Sequence, residues 1–177
     1  MLHADRWGAL GGEPLLHRRV IEILQIARAS RVADKTEVWT NGLLLPRQPK
    51  EFWQSFDILV LSIYPGKHGD DSLYWIRTKC EDEGVELVEK DERYYPNFMT
   101  MLEEVPTDRT ATIAKFRGCF FRQFSRVANF GYFFTCCCAP HLPMLVQNRP
   151  YGSDGIRIEG LEEAGLRGYL ERSEPLG

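Results

Sequence analysis

Four consecutive residues near the start of the sequence, Gly11-Gly12-Glu13-Pro14, are the first whose types and spacing could bind a ligand. Paired glycines let the backbone turn sharply and approach a bound molecule closely. A helix that begins at Pro14 would add free N–H groups and a partial positive charge. Such a turn can bind phosphate, but the Glu13 carboxylate repels phosphate and favours an ammonium group. The pattern therefore predicts either a site for a cationic amino group or a plain structural turn.

Five cysteines form the second group: Cys80, Cys119 and the consecutive Cys136, Cys137 and Cys138. Their odd number, without a secretory signal, argues against a disulfide framework. If the backbone of the consecutive three is extended, alternate side chains point to opposite faces, so at most two share a site. We expect the other cysteines, including Cys80 on an apolar helix face, to be packed thiols.

The segment between Cys119 and Cys136 predicts a β-hairpin. Eleven residues separate Cys119 from Gly131 and four separate Gly131 from Cys136, with Asn129-Phe130-Gly131 as a turn signal between aromatic arms. A hairpin brings Cys119 and Cys136 to the same end, where two thiolates could share a metal ion or a cluster, and leaves Cys137 pointing away. The alternative is a hairpin with buried thiols.

Composition and charge set the class of protein. The net charge of -3 gives no general attraction to nucleic acid or to an acidic membrane surface. No apolar run approaches the roughly 20 residues of a membrane-spanning helix, and the first residues have no secretory pattern. We therefore expect a cytoplasmic protein without a membrane partner.

Strand-like and helix-like segments alternate in the first two thirds of the chain. The predicted elements are a helix from Pro14 to about Arg31, a strand over Thr36–Thr40, a strand over Asp57–Ile63, a helix from about Asp70 to Gly84 and a strand over Val85–Val88. This order predicts an α/β fold with a parallel sheet covered on both faces. Ligands of such sheets bind at the carboxyl ends of the strands, here Gly11-Gly12, Thr40-Asn41-Gly42 and Ser62-Ile63-Tyr64.

The character of the sequence changes in its last third. Aromatic residues and cysteines dominate the segment before His141, and a short helix is predicted over about Leu161–Arg172. We place a domain boundary near residue 108, which gives a first domain over 1–108 and a second over 109–177.

The segment GGEPLLH, followed by TNG one strand later and by LSI one strand after that, resembles three successive strand ends of the radical S-adenosylmethionine (radical SAM) family. The resemblance implies a partial parallel (βα) barrel that binds S-adenosylmethionine. It assigns the amino group of the methionine moiety to Gly11, Gly12 and Glu13. Thr40 and Asn41 would line the same mouth. Ser62 would contact the ribose or carboxylate, or would only bond its own backbone.

The spacing C-x11-G-x4-C is similar to the opening of the auxiliary-cluster (SPASM or twitch) extensions of that family. The resemblance implies that Cys119 and Cys136 are ligands of an auxiliary 4Fe-4S cluster. It further implies reductive cleavage of S-adenosylmethionine and hydrogen abstraction from a substrate, such as a peptide or a sugar or nucleoside derivative. A reductant protein would supply the electron.

One element of the family is missing from the sequence. The CxxxCxxC motif that holds the catalytic cluster precedes GGEP in the family, yet none of the ten residues before Gly11 is cysteine. We expect an N-terminal truncation, and a C-terminal one because no cysteine follows Cys138. We also expect that this chain alone does not generate a radical. No catalytic residue is assigned.

The sequence is also compatible with three other classes of protein. A non-catalytic zinc-binding module could use Cys119, Cys136, Cys138 and His141. A cysteine nucleophile could pair with His141, although no orienting partner is evident. A nucleic-acid module could combine cations with aromatic rings, but the net charge argues against it; its residues would be Lys115, Arg117, Arg122 and Arg126 with Phe116, Phe120, Phe121 and Phe124.

Overall fold

The computed structural model describes residues 3–91, 108–119, 121–122, 125–146 and 148–175. The chain divides into two compact units, Met1–Thr100 and Met101–Gly177. The boundary that the sequence places near residue 108 stays a prediction, since residues 92–107 lie outside the described part of the chain. Each unit is therefore considered by itself.

The first unit is built on a four-stranded sheet with the order β1-β2-β3-β4, in which each neighbouring pair is parallel. The strands are β1 (Ala4–Ala9), β2 (Ala33–Thr40), β3 (Ile58–Ile63) and β4 (Glu86–Asp91). The predicted α/β class and parallel sheet are confirmed. Consecutive strands along the chain are neighbours in space. Because all of them are parallel, every carboxyl end lies at the same edge.

Three helices connect these strands: α1 (Val20–Ser30), α2 (Lys50–Trp53) and α3 (Asp70–Glu83). The predicted extent of α3 is confirmed, because Gly84 ends it in the left-handed conformation at φ 68°. The single helix predicted from Pro14 to Arg31 is wrong. Pro14–Leu16 forms a separate 3-10 turn, and the extended backbone at His17 (φ -79°, ψ 121°) interrupts the helix before α1.

The core of the first unit lies on the helix-covered face of the sheet. Alternation along the strands sends one set of side chains to this face. The set includes Val38, Leu59 and Leu61, packed with Leu24 of α1 and Ile76 of α3. β3 is buried on both of its faces, since Ile58 and Val60 on the other side are also buried. The predicted covering of this central strand is confirmed.

The second unit contains a three-stranded antiparallel sheet with the order β5-β6-β7. Its elements are α4 (Arg109–Gly118), β5 (Val127–Asn129), β6 (Tyr132–Phe134), α5 (Leu142–Val146), β7 (Ile156–Arg157) and α6 (Glu163–Glu171). The predicted hairpin is confirmed, and its turn has positive φ at Phe130 and Gly131. The predicted C-terminal helix is confirmed as α6.

Two details of the second unit differ from the prediction. Cys119 caps the C-terminus of α4, so it does not lie on an arm of the hairpin. Phe121 is helical, whereas the hairpin prediction placed it on a strand; Phe120 and Phe124 lie outside the described residues. Among the helices within the described ranges, none is long and apolar enough to cross a membrane.

Candidate functional site

The carboxyl ends of β1, β2 and β3 form one continuous edge, here called the strand-end edge. The register pairs Ala9 with Val38 and Thr40 with Leu61. The predicted site residues at or just beyond these pairs therefore lie side by side. They are Gly11, Gly12 and Glu13 after β1, Thr40 and Asn41 at the end of β2, and Ser62 on β3. The predicted strand order is confirmed, whereas the binding roles of these residues stay predictions.

The Glu13 carboxylate joins the loop after β1 to the end of β2. Its Oε1 accepts hydrogen bonds from the Thr40 hydroxyl at 2.7 Å and from the Leu15 N–H at 3.0 Å. Its Oε2 accepts from the Asn41 N–H at 2.9 Å. An ionised carboxylate has about four acceptor positions, so Oε2 can accept a further donor. Glu13 is thus a fixed, half-buried anion at the edge.

Gly11 and Gly12 leave space beside this anion. Both have positive φ, at 108° and 29°, where a larger side chain would be strained. A Cβ atom added to either residue would meet no heavy atom within 4 Å. The backbone here is consequently open to a ligand that approaches it closely, with Glu13 alongside.

The turn Thr40-Asn41-Gly42 is fixed by its own side chains. The Thr40 hydroxyl accepts from the Gly42 N–H at 3.1 Å while it donates to Glu13. The Asn41 side-chain oxygen accepts from the Leu43 N–H at 3.0 Å. These bonds are the Asx- and ST-type turns that Asn and Thr favour. They hold the Asn41 N–H in the direction of Glu13.

His68 supports the same turn, a role that the sequence did not indicate. Its Nε2 lies 2.6 Å from the Asn41 carbonyl oxygen and its Nδ1 lies 3.0 Å from the Ser72 hydroxyl. The tautomer that satisfies both contacts donates from Nε2 and accepts at Nδ1. The loop that brings His68 to Asn41 has no local sequence pattern that would indicate this contact. His17 is exposed, and its Nδ1 accepts from the N–H of Arg19, two residues along the chain.

The sheet face opposite the helices carries a polar group that sequence reasoning missed. Glu37 is only 8% exposed; its carboxylate accepts from the Trp39 indole N–H at 2.6 Å and lies 3.7 Å from the Arg6 guanidinium. Lys90 lies 3.9 Å from the Trp39 ring centroid. Ser62, which pairs with Lys90 in the register, shares this face. The signal was the alternation in TEVWT, which turns Glu37 and Trp39 away from the core.

A cavity of about 450 Å³ lies at the opposite, amino-terminal edge of the same sheet. Four of its charged lining residues pair with one another, Arg28 with Asp57 at 2.9 Å and Lys35 with Glu86 at 2.7 Å, and the fifth, Glu83, pairs with Lys79. Mutually satisfied charges leave little to recognise a ligand. The strand-end edge, where Glu13 keeps acceptor capacity, is the better candidate.

The three consecutive cysteines are not extended, and this corrects two predictions. The Cys136 carbonyl accepts from the Ala139 N–H at 3.2 Å, and the Cys138 carbonyl accepts from the His141 N–H at 3.2 Å. These i to i+3 bonds fold residues 135–141 into the segment here called the cysteine turn. All three Sγ atoms lie within 4.8 Å of one another, so Cys137 does not point away and the three share one site. Alternation applies only to extended backbone.

The sulfur atoms of the cysteine turn influence one another's ionisation. Hydrogen bonds from the Cys136 and Cys138 thiols lower the pKa of Cys137. Hydrogen bonding to a neighbouring sulfur raises the pKa of Cys136 and of Cys138, because each thiol keeps the proton that it donates; a neighbouring thiolate also opposes a second negative charge. In the first unit, burial raises the pKa of the Cys80 thiol to about 11. Cys80 is thus the packed thiol that the sequence predicted.

Cys119 and His141 lie outside this sulfur group, which in the described residues contains only the three consecutive cysteines. The hairpin does not bring Cys119 to the same end as Cys136, since Cys119 caps α4. Metal ligation by Cys119 and Cys136 stays a prediction that rests on the family resemblance alone.

Comparison with known proteins gives a likeness in fold. No protein-family model and no curated protein matches the chain. Among solved structures, the fold is similar to that of BtrN in complex with AdoMet and 2-DOIA, with a TM-score of 0.53 and 13% sequence identity. The match covers 94% of this chain and 62% of the BtrN chain, so this chain spans less than two thirds of BtrN. At this identity the likeness establishes the fold alone.

Proposed function

We propose that this chain binds S-adenosylmethionine at the strand-end edge, with the Glu13 carboxylate accepting a hydrogen bond from the ammonium of the methionine moiety. The observation that carries the proposal is the position of Glu13. Its two oxygens are fixed by the Thr40 hydroxyl and the Asn41 N–H from the next strand, beside the open backbone of Gly11 and Gly12. The similar solved structure contains AdoMet, which supports this choice of ligand.

The physical basis is a pre-organised anion. A carboxylate that is already oriented loses little freedom when an ammonium group arrives, so more of the charge-assisted hydrogen bond is kept as affinity. Gly11 and Gly12 let the ligand approach the backbone without a steric clash. Ser62 on β3, the strand beside β2, is proposed to contact the ribose or carboxylate.

The wider activity that the family resemblance implies is also part of the proposal. The proposed fold is a partial (βα) barrel. The proposed reaction is reductive cleavage of S-adenosylmethionine followed by hydrogen abstraction from a peptide or a sugar or nucleoside derivative, with a reductant protein as partner. When bound, a 4Fe-4S cluster supplies the electron for cleavage and needs three thiolates near the ligand. The described residues at the strand-end edge include no cysteine, and Cys80, the cysteine of the first unit, is packed in the core. These residues therefore do not fit this group. We therefore derive the binding step and no step through the cluster.

Calorimetric titration of the full chain with S-adenosylmethionine tests the proposal. Glu13→Gln should weaken binding by about 1–3 kcal/mol, the range for a hydrogen bond to a charged group. Glu86→Gln is the matched control, because Glu86 is an exposed carboxylate at the other end of the sheet, paired with Lys35. Equal affinities of wild type, Glu13→Gln and Glu86→Gln would remove Glu13 from the site.

A further inference from the structure

The cysteine turn places three sulfur atoms together in an arrangement that the proposed S-adenosylmethionine site does not use. The Sγ atoms of Cys136, Cys137 and Cys138 all lie within 4.8 Å of one another, and those of Cys137 and Cys138 are 3.8 Å apart. Within the described ranges, no other group of three or more metal-ligating side chains is this close. Such convergence of ligand atoms is the first requirement of a metal site.

The spacing of these atoms is close to that of a bound metal. A metal ion lies about 2.3 Å from each thiolate sulfur. Three sulfurs at that bond length are roughly 3.8 Å apart in tetrahedral geometry and roughly 4.0 Å apart in trigonal planar geometry. The pair Cys137 and Cys138 already has this separation, and Cys136 needs a movement of at most about 1 Å, which side-chain rotation supplies.

The backbone on both sides of the three cysteines is fixed by the core of its own unit. Phe134 and Thr135 precede them and are buried, and the Thr135 hydroxyl accepts from the Arg172 guanidinium at 3.2 Å. Pro140 follows them and is fully buried. Ligands held on a rigid turn lose little freedom when they bind.

Disulfide formation between adjacent cysteines competes weakly with metal binding at this turn. None of the described cysteines forms a disulfide. Consecutive Cα atoms lie about 3.8 Å apart across a trans peptide bond, which is less than the roughly 4.4 Å that an unstrained disulfide requires. The adjacent pairs in Cys136–Cys138 therefore remain available as thiolate ligands.

We propose that the cysteine turn binds one soft cation through Cys136, Cys137 and Cys138, and that Cu(I) is the cation it suits best. Thiolate ligands select soft ions such as Cu(I) and Zn²⁺. Structural zinc sites almost always have four protein ligands, whereas Cu(I) is stable with three sulfurs. His141 does not complete a tetrahedron, since its ring lies outside the group within the part of the chain that is described. The three-sulfur set therefore favours Cu(I).

Anaerobic titration of the reduced full chain with Cu(I), in competition with a chromophoric Cu(I) chelator, tests this proposal. Wild type should bind one Cu(I) per chain. Cys137→Ser should lower the affinity by at least about 100-fold, because loss of groups that merely orient metal ligands already costs 10- to 100-fold. Cys80→Ala is the matched control, because Cys80 is a packed thiol in the core of the first unit, and it should stay within about twofold of wild type, as expected of an uninvolved site. Circular dichroism establishes that each variant is folded.

Two results would overturn the proposal. Wild type that leaves Cu(I) on the chelator would show that the turn is a packed set of thiols. An equal loss in Cys119→Ser and Cys137→Ser would replace the three-residue site by one that includes Cys119. Glu13→Gln should bind Cu(I) like wild type, so failure here is distinguishable from failure of the S-adenosylmethionine proposal.

Discussion

The strand-end edge and the cysteine turn bring ligand-type groups together by opposite routes. At the edge, Glu13 meets Thr40 and Asn41, which lie 27 and 28 residues further along the chain, because two parallel strands end side by side. In the cysteine turn, three successive residues converge because hydrogen bonds between residues three apart fold the backbone back. The first arrangement depends on the packing of a whole sheet, whereas the second depends on a few local dihedral angles.

This difference sets what each region tolerates. A change that disturbs the fit between strands should disrupt the edge and leave the sulfur group intact. A change in the turn should remove metal binding without affecting S-adenosylmethionine.

Gly42→Ala should have the largest effect on the edge. Gly42 has φ 77°, and a Cβ atom there would lie 2.5 Å from Leu61 Cδ1 in the core. The left-handed backbone and the clash together should lower the free energy of unfolding by about 2–4 kcal/mol. Gly66→Ala is the matched control, since Gly66 has φ 68° but open space around it, and should cost only about 1–2 kcal/mol. Urea denaturation measures both, and equal losses would contradict close packing at Gly42.

Glu13→Gln should have the next largest effect on stability. A carboxamide nitrogen cannot accept the hydrogen bonds that the Glu13 oxygens receive, so a buried donor loses its partner. The free energy of unfolding without ligand should fall by about 2 kcal/mol. Glu86→Gln, which removes one partner of an exposed ion pair, should change it by less than about 1 kcal/mol. Equal stability of the two variants would mean that Glu13 does not join the two loops.

Cys80 sharpens the contrast between a packed thiol and the cysteine turn. Burial raises the pKa of Cys80 to about 11, above the roughly 8.5 of an unfolded cysteine. Between these values the unfolded chain releases a proton that the folded chain retains, so Cys80 lowers stability as pH rises, by about 1.4 kcal/mol per pH unit. Cys80→Ala should remove this slope in unfolding measured from pH 8 to 11. An unchanged slope would place its origin elsewhere.

Ser62→Ala should have the smallest effect. Ser62 lies half-buried on the face of β3 opposite the helices, so the change creates little cavity and should leave the free energy of unfolding nearly unchanged. If its hydroxyl contacts the ligand, the affinity for S-adenosylmethionine should fall by about 1 kcal/mol, as for a neutral hydrogen bond. Calorimetry that finds no loss would assign the hydroxyl no part in binding.

The sequence predicted the edge better than the turn, for physical reasons. Strand order and the shared edge followed from βα alternation, because parallel connections allow few topologies. His68 was missed, since its contact with Asn41 arises only from tertiary packing. The sulfur group was missed because an extended backbone was expected at Cys136–Cys138. The turn there depends on buried neighbours on both sides, Thr135 and Pro140.

The sheet face opposite the helices shows the same limit. The period of two in TEVWT was visible, but its meaning depends on which face the helices cover. Only the structure shows that Val38 faces the helices and that Glu37 faces the other way, beside Arg6 and Trp39. A carboxylate so nearly buried must be paired, and the partners come from two strands.

A thermodynamic cycle tests most directly whether Glu13 binds the methionine ammonium of S-adenosylmethionine. The affinities of wild type and Glu13→Gln are measured by calorimetry for S-adenosylmethionine and for 5′-methylthioadenosine, which lacks the amino and carboxylate groups. We expect Glu13→Gln to weaken S-adenosylmethionine by about 1–3 kcal/mol and to leave 5′-methylthioadenosine unchanged. An equal loss for the two ligands would show that Glu13 only shapes the edge, and would contradict the account.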